Sequence, residues 1–236
     1  MISIIIPAYN EEDSIGDCLE SLVIQTTRQP FEVIFVDNNS KDKTVEIATK
    51  YKKRLNLRII HEKKQGRGAA RARGFDEATG DIMFSSDADA IFFPDWIELF
   101  SSYFKDKKVI AVTGSVKIID NTKINNGIFN FLHPYLMHGY RLVFGHYWLS
   151  GFSFAVRTTT YKEIGGLNRN LNALDDIDLG FRIYKKGKII MVDNPRVTMS
   201  GRRFKPHFFR GLFSYFKPFF QLVFLKNQSF SVSDER

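Results

Sequence analysis

The sequence predicts an α/β domain built on a mostly parallel sheet flanked by helices, and three observations carry that prediction. Short apolar runs alternate with stretches of helical spacing through the first half of the chain. The first run, Ile2 to Ile6, is apolar without a break, as a strand covered on both faces requires. Polar residues, several of them acidic, fall where the runs end, and in open α/β sheets ligands bind beyond the carboxyl ends of the strands.

Taken in order, the Ile2 to Ile6 strand ends at Pro7-Ala8-Tyr9-Asn10-Glu11-Glu12. A helix follows with Ile15, Cys18, Leu19, Leu22 and Val23 on one face. Phe31 to Val36 is the second strand and ends at Asp37-Asn38-Asn39-Ser40. The next helix opens near Thr44 and carries Val45, Ile47, Ala48 and Tyr51. Leu57 to Ile60 is a third strand, and Gly66-Arg67-Gly68 precedes an Ala/Arg-rich helix that ends near Thr79-Gly80. The fourth strand, Asp81 to Phe84, leads into Ser85-Ser86-Asp87-Ala88-Asp89. Beyond it, the pattern predicts a helix from Pro94 to about Phe104, strands over Val109 to Val116 and Gly151 to Val156, and a helix over Thr158 to Ile164. A helix from Asp175 to about Lys186 and a last strand over Lys188 to Val192 complete the domain. From Asn126 to Val156 the only charged residue is Arg141. His133, His138 and His146 interleave there with aromatics, at a spacing that suits packing rather than a ligand pair on one helical face.

The chain has 236 residues and a formal charge of +8, which suits an acidic partner: a phosphorylated substrate, an anionic membrane or nucleic acid. A single cysteine, Cys18, excludes an internal disulfide and fits a reducing compartment. No Cys/His cluster has zinc spacing. The start has no basic leader, and no window reaches about 18 uncharged apolar residues, so no spanning helix is expected.

Two carboxylates one residue apart, Asp87 and Asp89, can hold Mg2+ or Mn2+ while leaving positions for substrate oxygens, provided the segment is extended so that both point the same way. For an isolated Asp-x-Asp a polar turn after a strand is the better reading. Asp175, Asp176 and Asp178 in the first turn of a helix complement its dipole, which alone could account for them.

Together these residues resemble the family 2 glycosyltransferases, inverting enzymes of the nucleotide-sugar-binding GT-A fold. The matching pieces occur in family order: Ile4 to Glu11, Val36 to Ser40 with Asp42 and Thr44, Asp87-Ala88-Asp89, Gly151 to Arg157, Gly165-Gly166-Leu167, and Asp175-Asp176-Ile177-Asp178-Leu179. Each is weak alone; six in order are specific. The resemblance covers residues 1–205, with a nucleotide-sugar half over 1–115 and an acceptor half over 116–205. It implies that Pro7, Ala8, Tyr9 and Glu11 line the base and ribose pocket. Asp37 would accept from the base, as an ionised carboxylate must. Asp89, with Asp87, would hold the metal on the diphosphate, and Arg71 would lie on the phosphate side, although Ala72 stands where the family usually has Asn. Asp176 would be the catalytic base, with Asp175 in the place of a usual Glu. Arg202 and Arg203 resemble a segment found near the diphosphate in one branch of the family; a solvated basic edge explains them equally well.

The implied activity is metal-dependent, hexosyltransferase-type transfer of a sugar to a hydroxyl, with a UDP-sugar favoured as donor and a GDP-sugar as the alternative. The competing reading is a non-catalytic basic module that binds membrane or nucleic acid; the transferase reading expects no nucleic-acid partner. Residues 206–236 form a basic, Phe-rich tail in which Phe209, Phe213, Phe216 and Phe220 fall at helical spacing, interrupted by Pro218. Such a tail suits the membrane interface, or it covers the domain's core. The first alternative predicts a protein peripheral to the cytoplasmic face of an anionic membrane, with a lipid-linked or membrane-borne acceptor.

Overall fold

The computed structural model describes residues 1–171, 173–201 and 216–224. The first half follows the predicted alternation. Strand β1 (Ile2–Ala8) leads to helix α1 (Ile15–Val23), then β2 (Phe31–Asp37), α2 (Thr44–Lys50), β3 (Leu57–His61), α3 (Arg67–Asp76) and β4 (Ile82–Ser86). After β5 (Ala90–Phe92) come α4 (Trp96–Tyr103), β6 (Val109–Gly114) and β7 (Lys117–Ile118). The long helix α5 (Lys123–Phe144) precedes β8 (Ser153–Arg157), α6 (Thr158–Glu163), α7 (Asp175–Ile183), β9 (Lys188–Val192), β10 (Val197–Met199) and α8 (Phe216–Phe224).

Seven strands form the main sheet in the order β3-β2-β1-β4-β8-β6-β9. All neighbours are parallel except β8, which runs against both β4 and β6. Strand order reverses at β1, with β2 on one side and β4 on the other, so the chain ends of these strands open a crevice at a topological switch point. The uninterrupted apolar run of β1 serves both faces by strand alternation. Ile4 and Ile6 enter the core beneath α1 and α4, whereas Ile5 enters the opposite core with Ile34, Val36 and Phe75.

Two features lie outside the predicted pattern. A second sheet, β5-β10-β7, follows the Asp87-Asp89 turn. Its strands are two or three residues long, too short for a periodic signal. The aromatic stretch that carried no assigned element is α5, 22 residues long and capped by Thr122, whose hydroxyl accepts from Asn125 N. Its histidines serve structure. His133 is buried against Ser115 and Trp148, and burial lowers its pKa to about 4, so it stays neutral. His138 bonds Asp193 and Tyr147.

Of the tail, only α8 is described. Pro218 lies within it, Phe219 packs on Tyr140 and Phe144 of α5, and Leu222 is buried with Leu171 and Leu174. Phe220 is 48% exposed. Part of the Phe-rich segment therefore covers the domain, and part faces outward. The remainder of the 206–236 segment, with Phe209 and Phe213, lies outside the described residues.

Helix α3 rests on β1 and β2 at Gly74, where an added Cβ would run into Ile5 and meet Val36 Cγ2 at 2.9 Å. Alanine would gain about 1 kcal/mol of helix propensity but overpack a branched, buried contact at a cost of about 1–3 kcal/mol. We expect Gly74→Ala to lower stability in urea unfolding; a gain in stability would mean that α3 has room to rise from the sheet.

Candidate active site

The site is assembled from four segments at the carboxyl edge of the sheet. The first two are stitched to each other. After β1, Asn10 Oδ1 accepts from Lys41 N and Asn10 N donates to Ser40 Oγ; Glu11 N donates to Thr44 Oγ1 at 2.7 Å. Pro7, Ala8 and Glu11 are buried and Tyr9 is half-buried. Glu11 accepts from Ser14 Oγ at 2.6 Å, so its carboxylate is tied to the entry of α1. At the end of β2, the buried Asp37 accepts from Ser40 N at 3.2 Å through Oδ1, and Oδ2 lies 3.1 Å from His61 Nδ1. Asn38 reaches across to the carbonyls of Glu62 and Lys64 and accepts from Gly66 N, fixing the loop that leads into α3.

Sequence reading did not single out His61. Its signal was parallel register: Asp37 and His61 are paired positions on β2 and β3, so two polar residues at equivalent strand ends share one edge.

The third segment is the turn after β4. A common direction for Asp87 and Asp89 required an extended segment; the structure has a turn there instead. Residues 87–89 turn sharply between β4 and β5, with Ala90 N donating to Asp87 O. A turn abolishes the i, i+2 alternation of a strand. Asp87 is buried and points to Arg71, whereas Asp89 is half-buried. Beneath the turn lies Cys18. Burial pushes its thiol well up, and the charges of Asp89, Glu11, Asp87 and Asp17 push it further, so four carboxylates act on one buried sulfur.

The fourth segment is the start of α7. Asp175 is almost fully buried, and Asp176 beside it is half-buried. Arg71, on α3 and 1% exposed, joins this segment to the third: Nη1 donates to Asp175 Oδ2 at 2.7 Å and Nη2 to Asp87 Oδ1 at 2.8 Å. Burial works against the guanidinium's charge, but Asp175 and Asp87 outweigh it and raise its pKa. Asp176 accepts from Gly151 N at 2.6 Å and from Ile177 N at 2.8 Å. Its pKa is raised to about 6 by burial and by the charge of Asp175, against the opposing pull of Arg71.

Gly151 is the second residue with an unforeseen role. A Cβ there would lie 2.8 Å from Arg71 Nη2 and 2.9 Å from Asp176 Oδ2. Only a residue without a side chain lets this loop close over the ion pair, and Ser85 Oγ holds the Gly151 carbonyl at 2.7 Å. Tyr140 of α5 lies within reach of the Asp176 charge; burial, and then that charge, hold its phenol well above the usual range. Among the described residues, the non-glycine positions with left-handed backbone are Asn10, Asn39 and Leu174. All three sit in these segments, where strained backbone often marks function.

Asp87 and Asp89 carry the hard oxygens a divalent metal takes, but Asp87 is engaged by Arg71, and no group of three or more metal-binding side chains occurs among the described residues. The structure thus brings Asp87, Arg71, Asp175 and Asp176 into one cluster, with Asp89 at its edge. Pro7, Ala8, Tyr9, Glu11 and Asp37 lie on the adjoining strand ends. Arg202 and Arg203 lie outside the described residues.

Residues 3–165 match the family described as Glycosyl transferase family 2. Among curated proteins, the glycosyltransferase AglE of Haloferax volcanii is 37% identical over 119 residues, which is 49% of this chain and 39% of that protein. The poly(ribitol-phosphate) beta-glucosyltransferase of Bacillus spizizenii is 31% identical over 137 residues, 56% of this chain and 22% of its own. The chain therefore spans well under half the length of these relatives. Among solved structures, TarS of S. aureus in complex with UDP-GlcNAc superposes with a TM-score of 0.67 at 21% identity, over 85% of this chain and 58% of that one. A mannosyltransferase of Pyrobaculum calidifontis in complex with GDP-Man and Mn2+ gives a TM-score of 0.67 at 22% identity, over 88% and 58%. These likenesses bear out the α/β fold, and with the family match over more than half of its residues the chain belongs to glycosyl transferase family 2.

Proposed function

We propose that this glycosyltransferase inverts the anomeric carbon of a nucleotide-diphosphate sugar, UDP-linked in preference to GDP-linked, by attack of an acceptor hydroxyl deprotonated by Asp176. The observation that carries this reading is the Arg71 bridge, which puts the diphosphate-side carboxylate Asp87 and the Asp175-Asp176 pair around one guanidinium. Asp176 takes the hydroxyl proton as the acceptor oxygen bonds to the anomeric carbon. The bond from that carbon to the diphosphate oxygen breaks, and the nucleoside diphosphate leaves with the electron pair. The backbone N–H groups of Gly151 and Ile177 orient the base, and Asp175 raises its proton affinity. Asp87 and Asp89 would hold Mg2+ or Mn2+, which when bound supplies Lewis-acid stabilisation of the departing diphosphate. Asp37 and the Pro7 to Glu11 turn would receive the base and ribose. The UDP-sugar preference rests on Asp37, an acceptor suited to the N3–H of uracil. A base is superfluous for an already ionised phosphate acceptor, so Asp176 favours a hydroxyl, and we place it on a lipid-linked or membrane-borne glycan.

The direct test follows nucleoside diphosphate release across a panel of UDP- and GDP-sugars with Mn2+. Release from a UDP-sugar is expected; no release from any donor, with no binding of UDP, would overturn the assignment. Asp176→Asn should leave donor binding intact and lower turnover by about 10²-fold or more. If Asp175→Asn is crippled and Asp176→Asn nearly normal, the roles are reversed.

Asp89→Ala should abolish transfer and weaken UDP binding in Mn2+ without unfolding the protein, and undiminished turnover in EDTA would exclude the metal. The wild-type pH profile should rise through about 6 and level above it, because the base must be ionised.

The same group sets a stability signature. With its folded pKa near 6 and an unfolded value of about 3.9, Asp176 holds its proton in the native state while the unfolded chain has lost it. Its ionisation therefore costs native stability as pH rises from about 4 to 6, and the cost is complete above that window. Asp176→Asn should melt higher than wild type at pH 8, with the gain disappearing towards pH 4. A melting temperature lowered at pH 8 would contradict the burial of a repelled charge.

A further inference from the structure

Helix α5 is turned inside out for a helix on a water-exposed surface. Its inner side is firmly anchored. Asn130 bonds both backbone groups of Ile118, His133 bonds Ser115, and Met137 and Tyr140 are buried. The opposite side should be polar. Instead it presents Ile124, Ile128, Phe131, Leu132, Tyr135, Leu136, Leu142 and Val143, which are eight of the thirteen exposed large hydrophobics among the described residues. Phe131 is 64% exposed and Leu142 88%. At 22 residues the helix runs about 33 Å, so the apolar stripe extends along six turns and is far from the scattered exposure normal on a soluble surface.

We propose that this outer face of α5 seats the protein on an anionic lipid surface, with the helix lying in the plane of the interface. The charge pattern selects that occupant. No acidic residue occurs between Asp120 and Glu163, and Lys123 and Arg141 stand exposed near the two ends of the stripe. Residues 194–233 contain seven Lys/Arg and no acid, leaving 27 Lys/Arg against 26 Asp/Glu elsewhere, so nearly all the net charge comes from that segment. It adjoins α5 at both ends. Gly201 bonds Asp120 and Asn121 just before the helix begins, and Phe219 packs on Tyr140 and Phe144 where it finishes. An apolar helix face in an acid-free stretch, with Lys123 and Arg141 near its ends, is the composition of an interfacial helix, and each Lys/Arg near an anionic surface strengthens attachment. No helix among the described residues is long and apolar enough to cross a membrane, so the contact is in-plane. A protein partner would find no acid on α5 with which to form specific ion pairs, whereas lipid headgroups need none.

The inference stands apart from the transfer reaction, and its test contains no sugar donor. Full-length protein is floated with vesicles of phosphatidylglycerol or of phosphatidylcholine. Flotation with phosphatidylglycerol at low salt, weakened by high salt and in phosphatidylcholine, is expected. The triple variant Phe131→Glu, Leu136→Glu, Leu142→Glu should lose at least about tenfold in partitioning while keeping the wild-type melting temperature and UDP binding. Wild type remaining unfloated at low salt, or the variant floating as well as wild type, overturns the proposal. A dimer that dissociates in the variant while flotation persists assigns the face to a second copy instead. Should the variant fail to fold, Leu136→Cys offers an independent reading, since the native Cys18 is buried and labelling is selective. A polarity-sensitive dye at that position should shift blue with phosphatidylglycerol vesicles, and an unchanged spectrum overturns the proposal.

Discussion

Arg71 holds a positive charge out of water, and the site takes its form from the way that charge is compensated. A buried guanidinium without partners would cost several kcal/mol, of order 3–5 when one member of such a pair is removed. Two carboxylates from distant parts of the chain, Asp87 and Asp175, share its two terminal nitrogens. The third carboxylate, Asp176, sits beside the pair without a salt bridge to Arg71, and its affinity for a proton rises accordingly. Arg71 thus locks the turn after β4 to the start of α7 and leaves beside it a carboxyl, Asp176, that holds its proton more tightly than an exposed one.

The rest of the edge is built to keep this arrangement rigid. Side-chain bonds between the loops after β1 and β2 replace regular backbone pairing, and Asn38 extends the stitching to the entry of α3, the helix that carries Arg71. Gly74 lets α3 approach the sheet closely enough to set Arg71 at the right depth, and Gly151 lets the loop before β8 close over it. Left-handed backbone at Asn10, Asn39 and Leu174 costs about 1–3 kcal/mol each, and the surrounding bonds hold these turns in place. Preorganisation of this kind suits catalysis that stabilises charge developing during reaction.

Helix α5 connects the chemistry with the outer surface. Its inner face contributes Tyr140 beside Asp176, and its outer face is apolar along most of its length.

The sequence by itself determined the α/β class, because strands buried on both faces leave unbroken apolar runs and amphipathic helices leave a 3.6-residue period. It also located the acids at strand ends and, through six ordered motifs, the family. Asp37, Asp87, Asp175 and Asp176 were legible in this way. His61 was not, because its link to Asp37 arises only from strand register. Gly151 was recognised as part of a segment but not as the lid over an ion pair, because a missing side chain matters only against what it would strike. The direction of Asp87 stayed open, since a turn and a strand end share the same residue types. The short strands β5, β7 and β10 left no period to read. The Arg71 bridge, 16 residues from Asp87 and 104 from Asp175, was decided by tertiary structure alone, because a buried charge finds its partners through the packing of the whole fold and not through its neighbours in the chain.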